Sequence, residues 1–214
     1  MRLLLVRHGE SIGNAERRLQ GHHDYDLTEL GERQAAITAE RLLAEGTSAV
    51  YGSPLQRAFR TAELIGSHLG IAPVPLPGVR EYDFGELSGA TYAELRARFA
   101  AQAGQGDAAA PTERVYPGEE GRANFRGRVT EALWGVIDRH AGETVAVVSH
   151  GGPIALFCQT VLGLEYRRPM PFAIDNCSLT AFAVKDEPLG PHARRARLHF
   201  LNDTWHLVGL RNET

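Results

Sequence analysis

The chain has 214 residues, 43% of them apolar, which suits one α/β domain with a sizeable core. A formal charge of -3 and a pI near 6.3 leave no basic field, so nucleic acid is excluded as a general partner and any anion site must be local. No apolar stretch approaches roughly 18 residues, and the run at 3–6 is too short and too soon followed by charge for a signal peptide, so a soluble cytoplasmic protein without a membrane partner is expected.

Residues 2–7 read as a first strand that delivers Arg7, His8 and Gly9 at its end, the glycine leaving room for an approaching group. A polar loop follows to about Asp26. Thr28 then caps a helix over "ELGERQAAITAERLLAE", whose Leu30, Ile37, Leu42 and alanines form an apolar stripe ended by Gly46. "SAVYGSP" gives a short strand, and Ser53-Pro54 is a start signal for the helix "LQRAFRTAELIGSHL". "IAPVPLP" is an extended, proline-stiffened segment, leading to a loop and helix in "GVREYDFGELSGATYAELRARFA". Residues 100–121 turn to Ala, Gly, Gln and Pro without an apolar period, as a mobile loop or cap would. A helix over 122–140 precedes "ETVAVVSH", the clearest buried strand of the second half, which also ends in a histidine. Gly151, Gly152 and Pro153 lead into the helix "IALFCQTVLG", strands follow at "CSLTAFAV" and "RARLHFL", and "WHLVGL" closes the chain. Strands alternating with helices define an α/β sheet with helices on its faces. Cys158 and Cys177 read as buried free thiols.

Open α/β sheets place ligands at the C-terminal ends of their strands, so His8 and His150 are expected to be neighbours despite their separation in sequence. Arg7 and Arg57, the latter in the first turn of its helix, add guanidinium forks that match phosphate oxygens. The acidic member comes from "REYDF", with Glu81 preferred to Asp83 because it follows the stiff segment and Gly78. Taken alone, these residues describe an anion-handling active site, with a non-catalytic ligand pocket and solvated loop charges as the competing uses.

The same motifs resemble, in order and spacing, those of the histidine phosphatase superfamily. "LVRHGES" is similar to the family signature, "NAERRLQGHHDYDLTELGERQA" to the segment after it, "SPLQRAFRTAE" to the second arginine motif and "REYDFGELSG" to the acidic motif. "VVSHGGPI" resembles the second histidine motif, and "DNCSLTAF" and "LNDTWHL" the late strand and tail, so the resemblance runs from Arg2 to about Leu207. It implies a phosphoglycerate-mutase-like three-layer α/β sandwich with a mostly parallel central sheet, in one domain over 1–214 with residues 84–125 as a cap. The implied catalytic set is His8 as nucleophile, Arg7, Arg57 and a protonated His150 around the phosphoryl group, and Glu81 as proton donor and later base. Asn14, Gln20 and Gly21 fall where the family lines its phosphate and substrate pocket, with loop-stabilising hydrogen bonds as the competing use of Asn14 and Gln20. The Gly151 amide adds a donor, and Ser11 is a lesser candidate.

In that scheme His8 attacks in line and carries the phosphoryl group as a phosphohistidine. Arg7 and Arg57 keep its ring unprotonated, and a main-chain carbonyl, that of Gly9 or a nearby residue, takes the other ring N–H. Glu81 protonates the leaving oxygen if its pKa is raised toward neutrality. No metal or other cofactor is expected: His22, His23 and Asp24 lie on an extended loop without a converging partner. The expected partners are a small-molecule phosphate ester and the inorganic phosphate released from it, with a homodimer left open.

Several details look like the phosphatase branch. "HHDYDLTE" after Gly21 lacks the tryptophan usual in mutases, "YDFGELSG" replaces the form "HYGxLxG", and the stretch between Glu81 and His150 is short. In "VYPGEEGRANF", Glu119 matches the glutamate of a Gly-Gly-Glu-Ser arrangement and Glu120 stands at the hydroxyl position, where a solvated carboxylate is expected. Arg96, Arg98, Arg114, Arg122 and Arg126 are candidates for binding a second anionic group, and Phe84, Tyr92, Phe99 and Tyr116 for an apolar wall. The alternatives to a small-molecule phosphomonoesterase are a cofactor-dependent phosphoglycerate mutase and a non-catalytic phospho-ligand binder.

Overall fold

The structure, a computed structural model, describes residues 1–102, 117–165, 171–185 and 196–211, with the backbone alone at 98–102 and 211. Strand β1 (Arg2–Arg7) leads to a short helix α1 (Ile12–Ala15), then α2 (Glu29–Ala44), β2 (Ala49–Gly52), α3 (Gln56–Leu69) and β3 (Val74–Pro75). Two 3₁₀ turns, Pro77–Val79 and Gly85–Leu87, precede α4 (Tyr92–Gln102) and α5 (Arg122–Arg139). Then come β4 (Thr144–Ser149), α6 (Gly151–Leu162), β5 (Leu179–Val184), β6 (Ala196–Asp203), a turn at Trp205–Leu207 and α7 (Val208–Arg211).

The strands form one six-stranded sheet in the order β3-β2-β4-β1-β5-β6, parallel from β3 to β1, with β5 antiparallel to both its neighbours. The period of two in β1 divides its side chains between the layers. Leu4 and Val6 pack with Ala39, Leu42, Ala58, Ala62 and Ile65 of α2 and α3. Leu3 and Leu5 pack with Phe125, Val129 and Leu133 of α5 and Ile154 and Phe157 of α6. This is the expected three-layer α/β sandwich. No helix of the described residues is long and apolar enough to cross a membrane.

Three local readings are corrected. The stretch after Gly9 is not all loop: Ser11 accepts the N–H of Asn14, and the Asn14 side chain accepts the N–H of Ser11, a reciprocal cap that closes α1. Ser53 does not cap α3; Leu55 occupies the cap without a side-chain bond, and the carboxylate of Asp24 accepts the N–H of Gln56 from another loop. Gly9 provides no room for a ligand. A Cβ there would lie 2.4 Å from the Gly31 carbonyl, so the glycine lets the strand end pass close to α2. Of the expected cap, the described part holds the second 3₁₀ turn, α4 and the start of α5. Residues 103–116 lie outside the described residues.

Candidate active site

The register of β1 against β4 pairs Arg7 with Ser149, so the next residue of each strand, His8 and His150, leaves the sheet side by side. Their ring centroids are 5.1 Å apart, edge to face. His8 is buried, and its Nδ1 lies 2.7 Å from the Gly9 carbonyl, so that nitrogen carries the proton and donates it. The free lone pair is then on Nε2, toward which Arg57 Nε donates at 3.3 Å. Burial, then Arg57 and then Arg7 hold the His8 pKa well below 6.5.

Arg57 is 1% exposed, and its Nη1 and Nη2 each donate to a carbonyl, that of His23 (3.1 Å) and that of Gly21 (2.9 Å). Burial lowers its pKa to about 10, opposed by the charge of Glu81. Arg7 donates to the Ile174 carbonyl at 2.5 Å, and burial lowers its pKa too. Both guanidiniums remain cations at neutral pH and are anchored to main-chain carbonyls, which leaves their charge available to a ligand.

Burial first, then Arg57, His8, Arg7 and His22, hold the His150 pKa well below 6.5, a direction that opposes the proton expected on this ring. Its Nε2 lies 2.8 Å from Ser53 Oγ, and Nδ1 has no partner. Ser53 Oγ also accepts the N–H of Leu55 at 3.4 Å and keeps a proton it can give to Nε2. The side chain that looked like a helix cap is therefore the hydrogen-bond partner of His150.

Glu81 and Asp83, which sequence barely separates, part company here. Glu81 accepts the N–H of Tyr82 (2.8 Å) and, at 3.1 Å, that of Gly152 in the first turn of α6. A Cβ on Gly152 would lie 2.0 Å from Glu81 Oε1, so the carboxylate reaches the helix start only because residue 152 has no side chain. Asp83 accepts the N–H of Gly85 and faces His22 at 3.4 Å, away from the cavity.

A cavity of about 450 Å³ is lined by Arg7, His8, Asn14, Gln20, Gly21, Arg57, Glu81 and Gly151 among the expected residues. Of the expected residues, His150 and the lesser candidate Ser11 are absent from that wall; His150 packs edge to face against His8. Asn14 and Gln20 combine their two competing uses. The carbonyl oxygen of each is within 2.9 Å of the buried Ser11 hydroxyl, while both side chains line the cavity. Ser11 is thus a support for both amides. Phe84 and Tyr92 supply the apolar wall; Phe99 and Tyr116 lie outside the described side chains.

Sequence reasoning missed Arg18, Leu19 and Gly152 on the wall and Asn176 behind it, whose Nδ2 donates to the His8 carbonyl (2.9 Å) and to Asn14 Oδ1 (3.2 Å). The basic residue on the wall beyond the phosphate cradle is Arg18. Arg96 and Arg126 are exposed and Arg122 is half-buried, none of them on the cavity, and Arg98 and Arg114 lie outside the described side chains. Nor is Glu120 solvated: it pairs with Arg128 on α5 at 2.5 Å. Glu119 is buried and accepts the Tyr82 hydroxyl at 3.0 Å. Among the described residues no group of His, Cys, Asp and Glu side chains is arranged to hold a metal. His22 bonds the Glu81 carbonyl, His23 stacks on Tyr25, and Asp24 serves α3.

Comparison with known proteins gives the family of the chain. The profile of the histidine phosphatase superfamily (branch 1) matches residues 3–195, and the chain belongs to that family. It is 39% identical over 192 residues to phosphoglycerate mutase-like protein 4 of Arabidopsis thaliana, covering 86% of this chain and 80% of that one. Among solved structures it is similar to Bacillus stearothermophilus YhfR (TM-score 0.82, 27% identity, 96% and 98% of the two chains). It is also similar to a mycobacterial glucosyl-3-phosphoglycerate phosphatase in complex with VO3 (TM-score 0.78, 28% identity, 94% and 98%).

Proposed function

We propose that this protein is a phosphomonoesterase that hydrolyses small phosphorylated metabolites through a phosphohistidine on His8. The observation that carries the reading is the state of His8: Nδ1–H on the Gly9 carbonyl, Nε2 unprotonated beside the Arg57 guanidinium, on the wall of an open cavity. Nε2 attacks phosphorus in line while Arg7 and Arg57 neutralise the equatorial oxygens, so most of the rate enhancement is preorganised charge and position. The neutral His150 serves as a donor: its Nδ1–H, unpartnered in a fully buried ring, would be satisfied by a phosphoryl oxygen. Amides of Asn14 and Gln20 and the N–H of Gly151, at a helix position with no intrahelical partner, complete the oxygen contacts.

Glu81 protonates the departing alcohol oxygen and, as a carboxylate, then takes a proton from the water that attacks the phosphohistidine. The scheme uses no metal. The two free, buried thiols, both with pKa pushed up to about 12 by burial, suit a reducing cytoplasmic setting and take no part. The wall of Leu19, Phe84 and Tyr92 with Arg18 beside it accommodates an organic leaving group.

The mutase-like relative supports a second reading, in which the phosphoryl group returns to a bound acid alcohol. Transfer between positions of phosphoglycerate outpacing phosphate release, with stimulation by a bisphosphorylated primer, would favour it. The deciding experiment is a panel of phosphomonoesters assayed with a chelator present, reading inorganic phosphate. Turnover of several esters without stimulation by primer is expected, and strict dependence on added metal would overturn the scheme.

A further inference from the structure

We propose that Arg128 is the positioning residue for Glu81: its guanidinium clamps the backbone that carries the carboxylate, so that the general acid is held from α5. The inference rests on the reading of Glu81 as general acid.

After β3 the chain leaves the sheet, and the segment 78–83 has no ladder to fix it. Ser149 Oγ donates to the Val79 carbonyl (2.8 Å), His22 Nε2 bonds the Glu81 carbonyl (2.8 Å), and Arg128 supplies the partners that tie three of the segment's carbonyls together. Its Nη1 donates to the carbonyls of Gly78 (2.9 Å) and Arg80 (2.7 Å). Its Nη2 donates to the Glu81 carbonyl (2.8 Å) and to Glu120 Oε1 (2.5 Å), and Nε donates to Glu120 Oε2 (2.8 Å). All five N–H donors of the guanidinium are therefore used, three of them on the main chain before and at Glu81. Glu120 extends the clamp past it, since Oε1 also accepts the N–H of Asp83 at 2.9 Å. The guanidinium carbon lies 5.0 Å from the Phe125 ring centroid, which further limits its freedom. Gly78 permits the approach, because a Cβ there would lie 2.5 Å from the Ala132 Cβ.

The clamp acts on the acid through the backbone alone. Arg128 and Glu120 form a pair of zero net charge, and neither lines the cavity. What they fix is the starting point of a side chain whose carboxylate must meet Gly152 N–H at the start of α6. A lysine at 128 keeps the charge but offers three donors at one nitrogen, and cannot reach three carbonyls and both carboxylate oxygens together.

The test compares Arg128→Lys with Glu81→Gln on an alkyl phosphate, whose leaving oxygen needs a proton, and on nitrophenyl phosphate, whose leaving group does not. For Arg128→Lys the expected result is an alkyl kcat down about 10–100-fold, as for a displacement near 1 Å, with nitrophenyl phosphate turnover and phosphoenzyme formation changed less than about 3-fold. Equal losses on both substrates, or none, with a selective loss in Glu81→Gln, would overturn the positioning role and leave the general acid standing. No selective loss in Glu81→Gln would instead sink the reading beneath it. Thermal unfolding of each variant checks that it folds. If Arg128→Lys does not, Glu120→Gln carries the test: a smaller selective loss, about 3–10-fold, supports the clamp, and an equal loss on the two esters overturns it.

Discussion

His8 and Glu81 face one cavity from supports of different kinds. His8 follows the last residue of a central strand, with pairing on both sides of β1 and its carbonyl held by Asn176. Glu81 sits on a segment outside the sheet, and its order comes from groups arriving from elsewhere: the Arg128 and His22 side chains on its carbonyl and the Gly152 N–H on its carboxylate. A nucleophile placed by sheet register tolerates little variation and needs little help. An acid placed by a loop can be displaced by residues that never touch substrate.

That contrast can be broken at either end. The largest effect is expected at Gly152→Ala, where the new methyl would collide with Glu81 Oε1, 2.0 Å away, and push the acid off the helix start. Turnover of an alkyl phosphate should fall about 100-fold, while nitrophenyl phosphate is spared, in steady-state assays of the two esters. Equal loss would mean that the α6 terminus serves the phosphoryl group more than the acid. On the nucleophile side, Ser53→Ala removes the hydrogen bond to His150 Nε2. Losing one neutral hydrogen bond of about 1 kcal/mol should lower kcat/KM about 5–10-fold on both esters alike. A loss confined to alkyl esters would place His150 with the acid instead.

The smallest effect is one of stability. His8 and His150 have folded-state pKa values depressed below 6.5 by burial, so below pH 6.5 the unfolded chain binds more protons than the folded one. Their contribution to stability is present above that pH and is lost as the pH falls through it, with a slope of up to about 1.4 kcal/mol per pH unit for each ring. Thermal unfolding between pH 7 and 5 should therefore show a shallower acid decline in His8→Asn than in the native chain. An unchanged slope would mean that His8 is not held neutral by the fold.

The same contrast decides what was legible in the sequence. Apolar runs ending in Arg-His and Ser-His gave the strand ends directly, and parallel pairing brought the two histidines together. The acid loop has no periodicity, so the preference for Glu81 over Asp83 is a narrow one, and the Gly152 N–H on the Glu81 carboxylate is what separates them. Ser53 looked like a helix cap because Ser-Pro before a helix is a local signal, whereas its real partner is 97 positions away. Arg18 and Leu19 reach the wall because Leu19 pairs its N–H with the Ala90 carbonyl and its carbonyl with the Gly89 N–H, a long-range match without a local pattern. The run "ERRLQG" held a cue, since Arg18 lies two residues before Gln20, but that spacing alone has no directional meaning outside a strand.

The account's central claim is tested most directly by rapid acid-avoiding quench of the enzyme during turnover of nitrophenyl phosphate, followed by mass mapping of the phosphorylated residue. It predicts a phosphate that is labile in acid, located on His8, formed with a burst of nitrophenol, and absent together with turnover in His8→Ala. Full turnover in His8→Ala, or a covalent phosphate mapped to any other residue, would contradict it.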